Sequence, residues 1–205
     1  MKSETSAEAP TPGELERLLT ELLERPYERA ELEREIEKRF SDDCAVLVLD
    51  MAGFSRVTRQ HGVIPYLLMI HQMRLLAIPI VEAARGVVVE AKADDLLCVF
   101  ANAHDAVDAS RRVLSALATA NVILPNEFEL YASIGIGWGQ VLRLAPDRVA
   151  GDQVNLAAKL GEDIAGHGEI LLTEEAYVAL GDETAASRRR TTLSDFDFDC
   201  YVLDT

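Results

Sequence analysis

The stretch GVVVEAKADDLLCVF, from Gly86 to Phe100, limits what this chain can fold into more than any other. Two apolar runs, VVV and LLCVF, are fit for the interior of a sheet, yet EAKADD between them carries four charges in six residues. A connection that short makes the runs neighbouring antiparallel strands and places acid at the rim of a core.

Length and composition set the outer limits. The 205 residues, 49% of them hydrophobic, suit one sizeable domain plus an appendage. A formal net charge of −15 argues against a nucleic-acid partner, which needs a basic face, and against anionic lipid. Small anionic substrates stay open, because metal ions cancel charge locally. Cys44, Cys98 and Cys200 each sit in an apolar run without CxxC spacing, which reads as reduced thiols in a cytoplasmic protein. The polar MKSETSAEAP does not read as a signal peptide. The most membrane-like run, VIPYLLMIHQMRLLAIPIVEAA, is interrupted by Pro65, His71, Gln72, Arg74 and Pro79 and reads as a buried helix rather than a membrane span.

Residues 1–12 read as a disordered tail and 13–40 as a charged helical segment. Leu15, Leu18, Leu19, Leu22 and Leu23 share a helical face, Pro26 breaks it, and Leu32, Ile36 and Phe40 stripe a second short helix. This predicts a helical hairpin, either packed on its own domain or serving as a dimerising or regulatory element. CAVLVLD then predicts a buried strand ending at Asp50, MAGFS a loop, and 57–84 a long helix kinked near Pro79. After the acidic hairpin come a helix over 103–120, a strand over 128–138, and 140–145 as its returning partner. A helix over 151–163, the strand EILLT, the short helix TEEAYVAL and a closing strand within 195–204 complete the pattern. Strand, helix, hairpin, helix, hairpin is a ferredoxin-like α+β order, mainly antiparallel with flanking helices.

Asp50 ends an otherwise apolar strand. Gly53 lets the backbone turn sharply, and Phe54 and Ser55 lead into a helix. A carboxylate and several free N–H groups meet there, which suits a metal beside a phosphate chain. Asp94 lies in the turn of the next two strands, which a ferredoxin-like order sets beside the first. Either aspartate alone reads as the cap of a strand. As a converging pair they form the usual ligand set for Mg²⁺ on phosphates.

These segments resemble the class III nucleotidyl cyclases, the adenylate and guanylate cyclases, from about Cys44 to the C-terminus. LVLDMAGFS is similar to the first metal motif of that family, and ADDLLCVF to the second, with Asp94 six residues before Phe100. SIGIGWGQVL resembles its Gly-rich strand pair, GDQVNLAAKL its transition-state helix, and GEILLTEEAY the segment that follows. Five motifs in one order carry the resemblance, where any one alone is weak.

The resemblance implies that residues 41–205 form a catalytic domain converting a nucleoside triphosphate to a 3′,5′-cyclic nucleotide and pyrophosphate. Asp50, the Met51 carbonyl and Asp94 would hold two Mg²⁺ or Mn²⁺ ions per active site. One would activate the ribose 3′-hydroxyl, and the other would hold the leaving phosphates. Asn155 would orient the ribose. Where the family usually places an arginine on the α-phosphate this chain has Lys159, which keeps the charge and loses the bidentate fork. The resemblance also implies a head-to-tail homodimer with its active sites at the interface. One protomer would supply Asp50 and Asp94; the other would supply Glu90, Arg148, Asn155 and Lys159.

The base-binding pair departs from the family's adenylate cyclases, which carry lysine at the position of Glu90 and aspartate or threonine near Arg148, a register in which Asp147 is adjacent. Glu90 can only accept hydrogen bonds and Arg148 can only donate them. Guanine matches with N1–H and N2–H₂ to the glutamate and O6 and N7 to the arginine. Glutamate is also the family's guanylate cyclase residue, which favours guanine. The usual partner there is cysteine, which keeps uracil and cytosine open, as in bacterial pyrimidine cyclases that signal phage infection, and adenine can use both groups. A solvent-facing Glu90–Lys92 pair is the plain alternative. A catalytically weak, regulatory nucleotide-binding homologue is the rival function, motivated by Lys159.

Gly135, Gly137 and Gly139 fall on one strand face and allow a backbone or ligand to approach, whereas Trp138 on the other face reads as packing. His61, His71, His104 and His167 share no metal spacing. Arg188, Arg189 and Arg190 read as an exposed charge run. No GxxxxGK[ST] or GxSxG is present, so P-loop and serine-hydrolase chemistry lack local support.

Overall fold

A computed structural model describes residues 11–52, 54–145, 148–181, 184–193 and 196–204. Pro12–Glu24 (α1) and Arg29–Phe40 (α2) form the expected hairpin, joined by a 3₁₀ turn at Pro26–Glu28. Thr11 caps α1 and Pro12 occupies its first turn, so the helix starts inside the segment expected to be a tail, of which residues 1–10 lie outside the described residues. Leu15, Leu18, Leu32, Ile36 and Phe40 pack with Leu142 and Leu144, so the hairpin covers its own domain. The five-leucine face does not bury as one: Leu19 and Leu23 stay exposed.

Ser41–Ala52 (β1) leads to Phe54–His61 (α3) and Val63–Ala83 (α4). The expected single helix kinked at Pro79 is thus two helices. The break falls at Gly62, whose φ of 87° is a conformation glycine adopts freely, and α4 runs on through Pro79. Val63–Ala83 is long and apolar enough to cross a membrane, but Tyr66, Met69, Ile70, Met73, Ala77 and Val81 bury one face in the core.

Val87–Lys92 (β2) and Asp95–Phe100 (β3) form the acidic hairpin, and Ala103–Asn121 (α5) follows, capped by Asn102. Tyr131–Ala145 (β4) is one continuous strand, not a strand and its return. The pairing of β1 with β4 runs unbroken from Tyr131 to Leu142, and the short Arg148–Ala150 (β5) makes the return instead. Asp152–Lys159 (α6) passes into a π-helical turn at Leu160–Ile164. Ile170–Leu172 (β6), Glu174–Leu180 (α7), Ala186–Leu193 (β7) and Phe196–Leu203 (β8) complete the chain.

The strands form one sheet in the order β2-β3-β1-β4-β6-β8-β7, with β5 paired to β4. Its first four strands reproduce the ferredoxin-like arrangement, antiparallel throughout, and β6 adds a parallel neighbour to β4. Alternation along β1 divides the core: Ala45, Leu47, Leu49 and Met51 pack with α4 and α5, whereas Cys44, Val46 and Val48 face α6.

Candidate functional site

Asp50 lies on the α6 face of the sheet, following Cys44, Val46 and Val48 by alternation. Its Cα partners are Asp95 on β3 and Ser133 on β4. Asp94 occupies the turn between β2 and β3, one residue before Asp95. Asp50, Asp94 and Asp95 each offer a carboxylate oxygen within 4.8 Å of the others. The two aspartates singled out from sequence do converge, and Asp95 joins them. Its signal was present: two steps of strand alternation from Leu97 put it on the face of Val48 and Asp50.

The cluster is half-buried and has too little positive charge to balance it. Burial pushes Asp50 up to about 7, helped by the Asp95 carboxylate and its hydrogen bond, then by Asp94 and Glu162. Burial also raises Asp95, with Asp94 and Glu90 adding to the effect. Glu162, on the π-helical turn, is raised by burial and by Asp95. Sequence reading missed it, since the π turn that aims it at the cluster leaves no mark in hydrophobic spacing.

Beside the cluster runs a groove of about 380 Å³ lined by Val48, Glu90, Lys92, Asp95, Leu97, Val154, Ala158 and Glu162. Glu90 is exposed and opposite Leu97, just past a bulge in β2. It therefore neighbours Asp95 of its own chain. Arg148 opens β5 and is exposed; β5 touches β2, so the strands carrying Glu90 and Arg148, the two residues expected to contact the base, meet.

Asn155 and Lys159 lie one turn apart on α6, Asn155 exposed and Lys159 half-buried. Neither lines the groove nor joins the acidic cluster. The buried side of α6 is Gln153 and Ala157. Gln153 Oε1 accepts from the Trp138 N–H at 3.2 Å and from Thr173 Oγ1 at 3.0 Å, pinning α6 to β4 and α7. Met51 is buried among core residues, leaving its backbone as the only part near the cluster's end of β1. Gly53 lies outside the described residues, as do the side chains of Phe54 and Ser55.

Gly135 and Gly137 of β4 admit a backbone, not a ligand. A Cβ on Gly135 would stand 2.1 Å from the Ala157 carbonyl oxygen and 2.6 Å from the Gly161 nitrogen, and one on Gly137 would stand 2.7 Å from the Gln153 carbonyl. They let α6 and its π turn lie directly on the sheet. Trp138 packs with the α4 and α5 core, as expected of its face. In the arginine run, Arg188 pairs with Asp199, and Arg189 makes a two-point contact with Glu169 at 2.7 and 2.8 Å.

A strand-borne aspartate, a turn-borne aspartate on the adjoining hairpin, and a helix held on the same face make up the candidate site. No family model matches the chain. A Rhizobium meliloti (strain 1021) protein carrying the provisional name adenylate cyclase 3 is 27% identical over 131 residues, 64% of this chain, and the chain spans only 22% of that relative. An adenylate/guanylate cyclase/hydrolase from Silicibacter pomeroyi superposes with a TM-score of 0.68 at 23% identity, covering 79% of this chain and 95% of that one. The guanylyl cyclase Cya2 gives 0.68 at 20% identity, over 80% and 91%. The catalytic core of a rhodopsin-guanylyl cyclase of converted specificity, in complex with ATPαS, gives 0.68 at 14% identity, over 80% and 98%. The resemblance to class III nucleotidyl cyclases is therefore borne out in both sequence and fold.

Proposed function

We propose that this chain is the catalytic domain of a nucleotidyl cyclase that forms a 3′,5′-cyclic nucleotide and pyrophosphate, with guanine the favoured base. The observation that carries the reading is the meeting of Asp50, Asp94 and Asp95 at one point. Three half-buried carboxylates, each with an oxygen within 4.8 Å of the others, are a donor set for a hard divalent cation. Asp50, the Met51 carbonyl and Asp94 would hold two Mg²⁺ or Mn²⁺ ions. When bound, such ions acidify the ribose hydroxyl and neutralise the leaving phosphates. Gly53, Phe54 and Ser55 would present backbone N–H groups to those phosphates.

The remaining residues bind and orient. Asn155 and Lys159 do not line the groove beside the acidic cluster of their own chain, which fits a site completed by a second copy. The outward face of α4, with Ile64, Leu67, Leu68 and Leu75 at least half exposed, offers apolar surface for association. In that homodimer Asn155 would fix the ribose and Lys159 would neutralise the α-phosphate. Glu90 would accept from the guanine N1–H and N2–H₂ while Arg148 donates to O6 and N7. Three buried free thiols suit a cytoplasmic setting.

The test is incubation of the pure protein with ATP, GTP, UTP and CTP, each with Mg²⁺ or Mn²⁺, over a range of protein concentrations followed in parallel by sedimentation. A cyclic product whose specific yield rises with the dimer fraction is expected, GTP leading. Absence of product from all four nucleotides would leave the weak regulatory homologue as the better reading.

A further inference from the structure

Resting on that cyclase reading, we propose that Tyr66 and Arg74 are positioning residues that set the Asp94 carboxylate for its cation.

Asp50 and Asp95 stand on paired strands and are fixed by the ladder. Asp94 is not; it lies in the two-residue turn that joins β2 to β3. The residue before it, Ala93, has a φ of 46°, in the left-handed region that favours glycine. A non-glycine residue keeps that conformation only where its surroundings hold it. Unaided, such a turn would let three crowded carboxylates relax by swinging Asp94 towards solvent.

Two side chains of α4 oppose that. Arg74 Nη2 donates to the Ala93 carbonyl at 2.6 Å, and Tyr66 Oη is turned towards Asp94 Oδ1 at 3.5 Å, a contact longer than an ordinary O–H···O bond. The two residues are eight positions apart, about two turns of one helix face. Their scaffold is rigid: Met69, Ile70, Met73 and Ala77, between and just beyond them, are core residues, and Tyr66 itself is 7% exposed. A donor on Oδ1 would leave Oδ2 available as the ligand, the way an outer partner orients a carboxylate ligand. α4 thus supplies the turn with the fixity that β1 and β3 supply to Asp50 and Asp95.

The experiment is Mn²⁺ binding to the full chain, by calorimetry and by loss of the free-ion electron paramagnetic resonance signal, for wild type, Tyr66→Phe, Arg74→Met and Arg74→Lys. Melting of each metal-free protein is recorded alongside. Tyr66→Phe keeps the ring and its burial, and Arg74→Lys keeps a donor for the Ala93 carbonyl. We expect Tyr66→Phe and Arg74→Met to bind Mn²⁺ roughly tenfold more weakly, as removal of an outer partner of a ligand does. Arg74→Lys should recover most of that loss. A purely structural role would lower the melting temperature and leave the affinity of the folded protein unchanged; unchanged affinity in Tyr66→Phe and Arg74→Met would overturn the inference alone. Absence of Mn²⁺ uptake by the wild type would overturn the cation reading and the inference with it.

Discussion

Asp50 and Asp95 stand directly opposite each other on the antiparallel ladder between β1 and β3. A sheet is destabilised by like charges at such positions. Here a third carboxylate, Asp94, adds to the pair. The arrangement works against the metal-free fold, and a divalent cation bound there would remove the conflict.

That conflict has a pH signature. Asp50 is raised from 3.8 to about 7, so the folded state holds a proton that the unfolded chain has already released. The unfolded state then binds fewer protons, and stability falls as pH rises from about 4 to about 7. Melting of the metal-free protein should show this fall, Asp50→Asn should flatten it, and saturating Mn²⁺ should cancel it in the wild type. Equal pH slopes for wild type and Asp50→Asn without metal would refute the account.

Gly135 bears the closest approach of α6 to the sheet. Both atoms nearest a Cβ there, the Ala157 oxygen at 2.1 Å and the Gly161 nitrogen at 2.6 Å, are backbone and have no rotamer to move aside. Gly135→Ala should therefore cost at least about 3 kcal/mol, the upper range for overpacking. At Gly139 the nearest atom is the Gln153 Cγ at 3.2 Å, a tight side-chain approach rather than a clash with backbone. The φ of 148° nevertheless adds backbone strain, so Gly139→Ala should cost less than Gly135→Ala but more than nothing. Urea unfolding of both variants checks the order.

Much of this was legible in the residues. The apolar runs around EAKADD fix a hairpin, CAVLVLD fixes a buried strand, and their order fixes a ferredoxin-like sheet in which Asp50 and Asp94 must meet. Periodicity was silent where the backbone departs from it. The break at Gly62 looks like a helix interior, because the long apolar run that begins at Val63 follows it directly and no strong turn pair marks the place. The continuity of β4 through Gly139 looks like a turn, because glycines usually end strands. Glu162 depends on a π turn, and Tyr66 reaches Asp94 and Arg74 reaches Ala93 only through packing across 28 and 19 residues of chain. Contacts of that range leave no spacing rule in a single sequence.

Glu169 should stabilise the C-terminal hairpin. It accepts from both terminal nitrogens of Arg189 and from the Gly166 N–H, and the Arg189 hydrogen bond foremost lowers its carboxyl from 4.5 to about 2. A lowered folded value gives stability that is full above about 4.5 and lost as pH falls towards 2. Glu169→Gln should lose roughly 1 kcal/mol at pH 7, an amount limited by solvent screening at this partly exposed pair. The gap to wild type should close between pH 4.5 and 2. A gap independent of pH would mean that the carboxylate's charge plays no part.

Lys159 keeps a charge and lacks a fork. If it neutralises the α-phosphate, Lys159→Arg adds a second parallel hydrogen bond to the developing charge and should raise kcat about tenfold, with KM little changed. Lys159→Ala should lower kcat by roughly 100-fold. Steady-state kinetics on the preferred nucleotide separate the two parameters, and a fall in kcat on introducing arginine would argue that the lysine is the fitted residue.

Glu90 provides the most direct test of base choice. It sits in the groove beside Lys92 and Asp95, and its carboxylate can accept from a base but never donate. Glu90→Lys reverses that polarity, so the guanine edge that offered N1–H and N2–H₂ meets a donor while the adenine N1 acceptor gains a partner. Leaving a buried polar edge unpaired is worth about 10⁴-fold or more in a fully enclosed site. In an open groove a shift of roughly 10-fold in the ratio of kcat/KM for GTP over ATP is expected, towards the lower part of the range for one bidentate base contact. Arg148→Ala, which removes the donor to O6 and N7, should weaken GTP without favouring ATP. A GTP to ATP ratio untouched by Glu90→Lys would place the base elsewhere and return Glu90 and Lys92 to the role of a solvent-facing pair.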